Sequence, residues 1–422
     1  MNDASGLATS PTGLAAALEN SGVARRRPFA HCQVFGDLEA ARAPWAQIEA
    51  LGLASPYQAY EFADAWLQTT GRARNITPMI IVARDEADRV SAVLPLGRMR
   101  RGPVWTAEFL GGKDANFKMG LFRPGIEASA EAIADLLRRA AHMVAPRVDA
   151  FWLTNQPYSW QGAPNPLAGL PRRPSPSFGH KSALNKDFDA WLAAHYSKEA
   201  QKKLHKKARR LAEVGRLAPI VARDEASVRR ILAAFQRQKE ARMQAVGAPN
   251  AYERPDTARF FERAAMNNLS SGAPTIELHA LTSGERIVAT FGGVMQGGRF
   301  CGMFISYDTA PEIARCSPGQ LLVIETIRDL TARGFSTFDL GVGEGRYKDE
   351  NCEAEEPLFD AAIAVTAKGR GFRAVALSQR RIKRWIKRTP WAWTLADRLR
   401  RRGVFSRRRE KAGQASGGSF DA

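Results

Sequence analysis

Ser317, Pro318 and Gly319 stand directly before an apolar run that starts at Gln320 and predicts a helix. The first turn of a helix has unpaired backbone N–H groups and a partial positive charge, so it suits phosphate groups. The same residue types also cap many helices that bind nothing. The sequence therefore leaves two interpretations of this helix start open, a phosphate site and a plain cap.

The elements around this helix start favour the phosphate site. The segment 299–348 predicts a strand, a loop, the helix, a second strand and a glycine-rich exit. Side chains with acid, base or charge chemistry lie on or just after the second strand: Asp339, Glu344, Tyr347 and Lys348. The glycines of the exit do not form a dinucleotide-binding fingerprint, because they open no clear βαβ unit. If the chain binds a pyrophosphate-bearing cofactor, we expect it at the helix start.

The charge of the chain is concentrated near its end. The chain has 422 residues, of which 45% are apolar, and a net charge of +19. That length allows two or three domains with sizeable cores. The stretch from Arg380 to Lys411 holds 14 Lys and Arg against two acids, so it carries +12 of the total charge. The body is thus close to neutral and ends in a strongly basic tail.

The four cysteines and six histidines are scattered, and none has the spacing of a metal site or a catalytic triad. Neither metal-dependent nor histidine-led chemistry is therefore expected. Cysteines without a disulfide pattern indicate a reduced, cytoplasmic protein. The N-terminus lacks the basic start and long apolar core of a signal peptide. No apolar run reaches the ~18 residues that a membrane span needs.

Both halves of the chain predict the same element order, β-α-α-β-β-β-α-β, with a long loop before the last helix. In the first half, the strands at 78–85, 89–100 and 104–112 are joined by short turns and predict an antiparallel meander. The expected fold class is α/β, with two tandem lobes. Each lobe is expected to hold a mixed, mostly antiparallel sheet flanked by helices.

Five segments follow from this order and from composition. They are a disordered leader (1–28), a first lobe (29–155), a Pro- and Gly-rich connector (156–185), a second lobe (186–366) and a basic tail (367–422). The connector is expected to be partly packed through Trp160.

Several short motifs follow one another along the chain. In the first half they are Ser55-Pro56-Tyr57-Gln58 leading to Trp66, Leu94-Pro95-Leu96 and Phe109-Leu110-Gly111. In the second half they are Arg209-Arg210-Leu211, Ser317-Pro318-Gly319, Phe338-Asp339-Leu340-Gly341 and Gly345-Arg346-Tyr347-Lys348. In this order the motifs resemble the CelD/FemAB-type branch of the GNAT acyltransferase superfamily.

This resemblance implies two GNAT-like lobes and transfer of an acyl group from acetyl-CoA, or another acyl-CoA, to an amine. CelD-type members are associated with exopolysaccharide or cell-envelope synthesis, so the expected acceptor is a sugar or a lipid-linked envelope precursor. FemAB-type relatives instead use aminoacyl-tRNA and lengthen peptidoglycan peptides. The resemblance predicts an N-acyltransferase. It leaves an aminoacyl-tRNA-dependent ligase and a non-catalytic, degenerate GNAT protein as alternatives.

The resemblance also places the acyl-CoA pyrophosphate at the turn before the central helix of the second lobe. The backbone amides of Gly319, Gln320 and Leu321 are the expected donors, and Gly319 lets the backbone approach closely. Ser317 belongs to the same turn, and Arg315 is expected to add a charge-assisted contact. No metal is expected.

Acyl transfer to an amine needs a neutral amine, a stabilised oxyanion and a proton for the leaving thiolate. Asp339 and Glu344 are candidates to take up the amine proton. Tyr347 is a candidate to protonate the thiolate, and Lys348 to hold an anionic substrate or developing charge. Each also has a structural interpretation, as a turn cap, a half-buried core residue or a solvated side chain. Relatives suggest acceptor contacts from the equivalent long loop of the first lobe, which here holds Lys113, Asp114 and Asn116.

Two basic segments remain. The stretch 197–216 predicts an amphipathic helix whose cationic face is either solvated or in contact with an anionic substrate, a lipid-linked sugar or RNA. The tail at 380–411 interleaves tryptophans with arginines, which suits an anionic membrane surface or an anionic nucleotide such as a cyclic dinucleotide. The chain shows no module for specific DNA recognition. We therefore expect a cytoplasmic protein that is peripheral on the inner membrane face.

Overall fold

The structure is a computed structural model that describes residues 27–343, 345–389 and 391–392, with the backbone alone at Arg346. Most of the predicted leader and the basic tail beyond Ala392 lie outside the described residues. Two large sheets, with helices packed on them, form the described part of the chain.

The first sheet consists of eight strands. They are β1 (His31–Phe35), β2 (Thr77–Arg84), β3 (Val90–Arg101), β4 (Val104–Phe109), β5 (Leu121–Phe122), β6 (Ala150–Pro157), β9 (Arg172–Pro174) and β17 (Leu358–Ala364). Their order is β1-β2-β3-β4-β6-β17-β9, and β5 pairs with β3. Strands β4 and β6 are parallel. Strands β2, β3 and β4 pair antiparallel, which confirms the predicted meander.

The second sheet consists of seven strands. They are β10 (Gly179–Ala183), β11 (Leu217–Val221), β12 (Glu277–Ser283), β13 (Arg286–Gln296), β14 (Arg299–Tyr307), β15 (Thr337–Val342) and β16 (Ala354–Glu356). Their order is β11-β12-β13-β14-β15-β10-β16, with β14 and β15 parallel. A small hairpin of β7 (Ser159–Trp160) and β8 (Ala163–Pro164) lies outside both sheets.

Helices precede, connect and follow these strands. The described residues form α1 (Arg42–Glu49), α2 (Tyr60–Trp66), α3 (Ala130–His142), α4 (Phe188–His195), α5 (Lys198–Ala212), α6 (Glu225–Val246), α7 (Pro255–Met266), α8 (Pro311–Ala314), α9 (Pro318–Ala332), α10 (Arg346–Asn351) and α11 (Ala367–Arg388). A π-helical stretch, Leu67–Gly71, extends α2. None of the described helices is both long enough and apolar enough to cross a membrane.

This architecture confirms the expected fold class of two mixed sheets flanked by helices. The element order β-α-α-β-β-β-α-β recurs in both halves, from β1 to β6 and from β11 to β15, with the short strand β5 added in the first half and the short helix α8 in the second. Each half contains one parallel strand pair beside a longer antiparallel run.

In each sheet, the strand next to one edge strand is exchanged between the halves. Strand β17 follows the second lobe in sequence, yet it pairs with β6 of the first sheet. Strand β10 comes from the connector and pairs with β15 of the second sheet. The segments predicted from the sequence place β17 in the second lobe and β10 in the connector. The structure differs from this prediction because the apolar pattern of a strand identifies the strand but not the strand with which it pairs.

The two lobes share one continuous hydrophobic core. The ring of Phe62 on α2 meets Phe260 on α7 edge to face at 5.3 Å. Beside this contact, Arg263 donates to Asp64 at 2.8 Å. Trp160 of the connector is 1% exposed, which confirms that this segment is packed. Side chains from the two halves are therefore held at fixed positions across the interface.

Candidate functional site

The parallel ladder between β14 and β15 is short. It joins Arg299 to Thr337, Phe300 to Phe338 and Cys301 to Asp339, and then stops, although both strands continue. Beyond this point β14 stays paired with β13 and β15 with β10, so an opening forms between the two central strands. The parallel pair β4–β6 of the first sheet ends in a similar way after two residue pairs.

The side chain of Asn116, from the first lobe, enters the end of this ladder. Its Nδ2 donates to the carbonyl oxygen of Gly302 and to the hydroxyl of Tyr57, both at 3.0 Å. Gly341 on the opposite strand has φ +70, and a Cβ there would lie 2.3 Å from Asn116 Nδ2. Only glycine fits at this position, because a side chain would collide with the amide. The first lobe therefore holds the opening of the second lobe in shape.

Helix α9 starts at the mouth of this opening. A Cβ added to Gly319 would contact the ring of Tyr307, at the end of β14, at 3.4 Å. Ser317 has φ +51 and ψ +53, and its hydroxyl accepts a hydrogen bond from Lys207 Nζ at 3.0 Å. Lys207 belongs to α5, so the predicted basic helix lies beside the predicted phosphate turn. Arg315 is exposed just before it.

The three backbone amides expected to bind a phosphate differ in whether they already have an acceptor. The N–H groups of Gln320 and Leu321 donate to the carbonyl of Ser317, at 3.0 and 3.2 Å. These are the ordinary first bonds of a helix, and they occupy two of the three amides expected to face a phosphate. Within the described part of the chain, the N–H of Gly319 has no acceptor. Gly319, which is buried, is therefore the one residue of the three whose amide is unpaired.

Asp339 lies beneath the opening in a closed ionic cluster. It is 0% exposed. Its Oδ2 accepts from Arg299 Nε at 2.8 Å, and its Oδ1 accepts from the N–H of Gly341 at 2.9 Å. Arg299 also donates to Glu356 at 2.5 Å and stacks over Trp160 at 4.1 Å. With both oxygens engaged, this carboxylate is placed to hold Gly341 and β15 rather than to receive a proton from a substrate.

Tyr347 and Lys348 lie in the first turn of α10, whereas Glu344 lies outside the described residues. Lys348 Nζ donates to the carbonyls of Gly341 and Val342, at 3.4 and 3.2 Å, and so ties α10 to the end of β15. Burial lowers the pKa of Lys348 to about 8. Tyr347 is 36% exposed, and burial together with the nearby Tyr252 raises its pKa to about 12.

The structure adds a cluster of rings and cations that sequence reasoning missed. Lys239 of α6 lies over the ring of Tyr252 at 5.1 Å, and Arg242 lies over Tyr307 at 5.1 Å. Tyr347 lies close enough for Tyr252 and Arg242 to influence its pKa. These residues come from three distant segments, 239–252, Tyr307 and Tyr347, so no spacing in the sequence predicts that they meet. Together they form the mouth cluster: Lys239, Arg242, Tyr252, Tyr307 and Tyr347.

His180 is a second residue that the sequence did not single out. It is 3% exposed, at an irregularity in β10, and its Nδ1 is 3.5 Å from Asp349 Oδ1. Burial and the charge of Lys348 lower the pKa of His180. Its Nε2 is buried without a hydrogen-bond partner among the described residues. A neutral imidazole therefore lies beside the residues that follow the end of β15.

One group in the described chain has metal-ligand chemistry, namely Glu277, His279 and Asp329. Arg333 donates to Glu277 at 2.8 Å and to Asp329 at 2.9 Å, so a guanidinium already provides the positive charge there. His279 and Arg333 lower the pKa of Glu277 to about 2, against the effect of its burial. This group fits an ion-pair network that fastens α9 to β12.

Comparison with known proteins agrees with this geometry. Residues 198–349, which hold the opening and the start of α9, match the family described as Acetyltransferase (GNAT) domain. FemX shares the fold with a TM-score of 0.54 at 9% identity, over 81% of this chain and 100% of that chain. No curated protein sequence matches the chain.

Two further solved structures show weaker similarity. One is the C-terminal domain of a protein described as a putative lysylphosphatidylglycerol synthetase from Agrobacterium fabrum. It is 14% identical over 81% of this chain and 97% of that chain, with a TM-score of 0.47. The other is a tandem GNAT protein from the clavulanic acid biosynthesis pathway. It is 11% identical over 80% of this chain and 98% of that chain, with a TM-score of 0.45.

The second lobe thus contains a GNAT acetyltransferase domain, which is an acyltransferase domain. The two lobes share the fold of FemX. The GNAT resemblance drawn from the sequence is therefore confirmed for the second lobe.

Proposed function

We propose that the protein transfers an acyl group, in the first instance acetyl, from acyl-CoA to an amine of a polysaccharide or cell-envelope precursor. The observation that carries this proposal is the start of α9 against Tyr307, at the mouth of the opening between β14 and β15. It lies in the segment that matches a GNAT domain. The donor brings a thioester and a pyrophosphate, and the residues at this mouth have the chemistry to receive both.

The start of α9 fits a pyrophosphate in three respects. Gly319 has a free N–H and no side chain in front of Tyr307. Lys207 already lies 3.0 Å from the Ser317 hydroxyl and adds a positive charge. The exposed Arg315 precedes the turn by two residues. A helix start and two cations together favour a bound dianion more than the helix start alone.

In the proposed reaction the amine nitrogen forms a bond to the acyl carbon, and the carbon–sulfur bond breaks. The amine loses one proton to water, and the leaving thiolate takes up another from an acid, which water then reprotonates. Tyr347 is the proposed acid, because its raised pKa of about 12 keeps the phenol protonated at neutral pH. Lys348 positions α10 through its bonds to the carbonyls of β15. Asp339 supports the strand and takes no proton.

Isothermal calorimetry with acetyl-CoA tests this proposal directly. Wild-type protein should bind acetyl-CoA, and Lys207→Met should weaken the affinity roughly 10-fold, since a hydrogen bond to a charged group contributes about 1.5 kcal/mol. Lys186→Met, an exposed lysine far along the chain from this turn, serves as the matched control. No binding at millimolar acetyl-CoA would refute an acetyl donor.

An aminoacyl-tRNA donor is the second candidate, favoured by the cationic face of α5 beside the phosphate turn. This candidate predicts transfer from charged tRNA and an affinity that falls steeply with salt. Transfer from charged tRNA combined with no binding of acetyl-CoA would favour it over the acyl-CoA enzyme.

We further propose that α11 docks on an anionic membrane surface. Its inward side is tied to the body, with Arg380 bonded to the buried Asp360 at 2.5 Å and Arg384 to the carbonyl of Ser175 at 2.6 Å. The opposite side exposes Val375, Ile382 and Trp385 at 57%, 57% and 52%. The helix contains nine Lys and Arg and no acid.

Such a helix suits a surface of acidic lipids, where each nearby cation contributes up to ~1 kcal/mol. Four free cysteines fit a reduced, cytoplasmic location on the inner face. Ile382→Glu with Trp385→Glu should abolish sedimentation with phosphatidylglycerol vesicles. Val214→Glu, an exposed residue at 51% elsewhere, should leave sedimentation unchanged. Equal sedimentation of the wild type and the double variant would contradict membrane docking.

A further inference from the structure

We infer that the amine acceptor carries a phosphate group, which Lys239 and Arg242 bind at the mouth of the opening between β14 and β15. This inference rests on the proposed function and names the substrate class of the same site. It starts from two cations whose surroundings differ from those of the other charged residues on their helix.

Lys239 and Arg242 have only aromatic neighbours as partners. Lys239 lies over Tyr252 at 5.1 Å and Phe235 at 5.8 Å, and Arg242 lies over Tyr307 at 5.1 Å. Neither has a carboxylate within ion-pair distance among the described residues. Earlier on the same helix, Arg229 pairs with Glu225 at 2.8 Å. Ring faces attract cations without neutralising their charge, so these two remain available to an anion.

The burial of Lys239 strengthens this argument. Desolvation lowers its pKa to about 8, and the charge of Arg242 acts in the same direction. A lysine in such a position gains from a bound anion, because the anion restores the charged form that burial disfavours. Two adjacent cations, one with a guanidinium fork, suit a phosphate better than a single carboxylate.

The two cations also lie at the right place in the site. Tyr307, beneath Arg242, contacts Gly319 at the start of α9, and Tyr347 lies beside Arg242 and Tyr252. A phosphate held here would be at the entrance of the proposed acyl site, and it would be bound by cations of α6 rather than by Lys207 of α5. The donor pyrophosphate and the acceptor phosphate would thus have different cations.

The first lobe supplies a carboxylate to the same region. Asp114 accepts from Trp66 Nε1 at 2.9 Å, and its charge adds to the effect of burial in raising the pKa of Tyr252. Cations on α6 and a carboxylate on the facing loop suit an acceptor with a phosphate at one end and an ammonium at the other. Tyrosine faces and hydroxyls suit a sugar between them. A phosphorylated amino sugar has this chemistry.

Calorimetry on the full-length protein tests the inference, with glucosamine 1-phosphate, glucosamine and acetyl-CoA as separate probes. We expect glucosamine 1-phosphate to bind at least roughly 10-fold more tightly than glucosamine. Lys239→Met and Arg242→Met should each remove most of that preference and leave the affinity for acetyl-CoA unchanged. Arg237→Met, an exposed arginine on the same helix, is the matched control.

The outcomes separate this inference from the proposed function. Equal binding of the two sugars would overturn the phosphate subsite, and so would an unchanged preference in both variants. A loss of acetyl-CoA affinity in Lys239→Met would assign the two cations to the donor instead. Preferential binding of glucosamine 1-phosphate without any binding of acetyl-CoA would leave the subsite standing and refute the donor. Arg242 is exposed, so its variant keeps the test valid if Lys239→Met fails to fold.

Discussion

Replacing Asp339 by asparagine distinguishes a structural role of this residue, in holding strand β15, from a catalytic role. The substitution keeps the shape of the side chain but removes the charge that faces Arg299 at 2.8 Å in a fully buried site. Removing one partner of a buried ion pair costs about 3–5 kcal/mol. Arg299 keeps its second partner, Glu356 at 2.5 Å, so the expected loss is at the lower end, about 3 kcal/mol.

The free energy of unfolding from urea titration measures this loss. Asp135→Asn, which breaks an exposed pair with Arg139 at 2.9 Å, is the control and should cost less than about 1 kcal/mol. The acyl transfer rate of the folded Asp339→Asn protein should stay within about threefold of the wild type, because no proton passes through this carboxylate. An unchanged stability with a rate at least 100-fold lower would refute the reasoning and make Asp339 the base.

Three further predictions concern the same site. Tyr347→Phe should lower kcat roughly 100-fold without changing the affinity for acetyl-CoA, since general acid catalysis contributes about that much; an unchanged kcat would exclude the phenol as the acid. Between pH 8 and 10.5 the unfolded chain holds a proton on Lys348 that the native protein has released, so stability should rise with pH by up to about 1.4 kcal/mol per unit. Urea titrations should show a smaller rise for Lys348→Met, and an identical slope would contradict the assignment. Asn116→Ala removes its hydrogen bonds to Gly302 and Tyr57 and should cost about 2 kcal/mol of stability; a change below about 0.5 kcal/mol in urea unfolding would show that the contact does not hold the lobes.

Much of the fold could be predicted from local patterns. Helix α6 shows why, because Asp224 and Ser227 form its capping box and Gly247, with φ +65, ends it. These signals lie within the helix and its borders. The alternation of apolar residues and the short turns likewise predicted the meander β2–β3–β4. The exchange of β10 and β17 depends on pairing across more than 150 residues, which no local signal records.

The motifs indicated a location for the candidate site but not its contacts. They pointed to the second lobe, which holds the segment that matches the GNAT domain. They did not show that Asp339 meets Arg299, because that pair joins two strands 40 residues apart. They also did not show Lys239 beside Tyr252, since both have unremarkable neighbours in sequence. Burial and contacts between residues that are distant in sequence decide which charged residues are structural and which are available to ligands.

The exchanged strands have a consequence for the order in which the chain acquires its structure. The first sheet cannot be completed until β17, at residues 358–364, has been synthesised. A nascent chain that ends before this strand leaves the edge of β6 open, and unpaired edges promote association with other chains. The amino-terminal lobe, although made first, therefore matures last. We expect a ribosome-bound chain that stops after residue 350 to be sensitive to proteases in both halves.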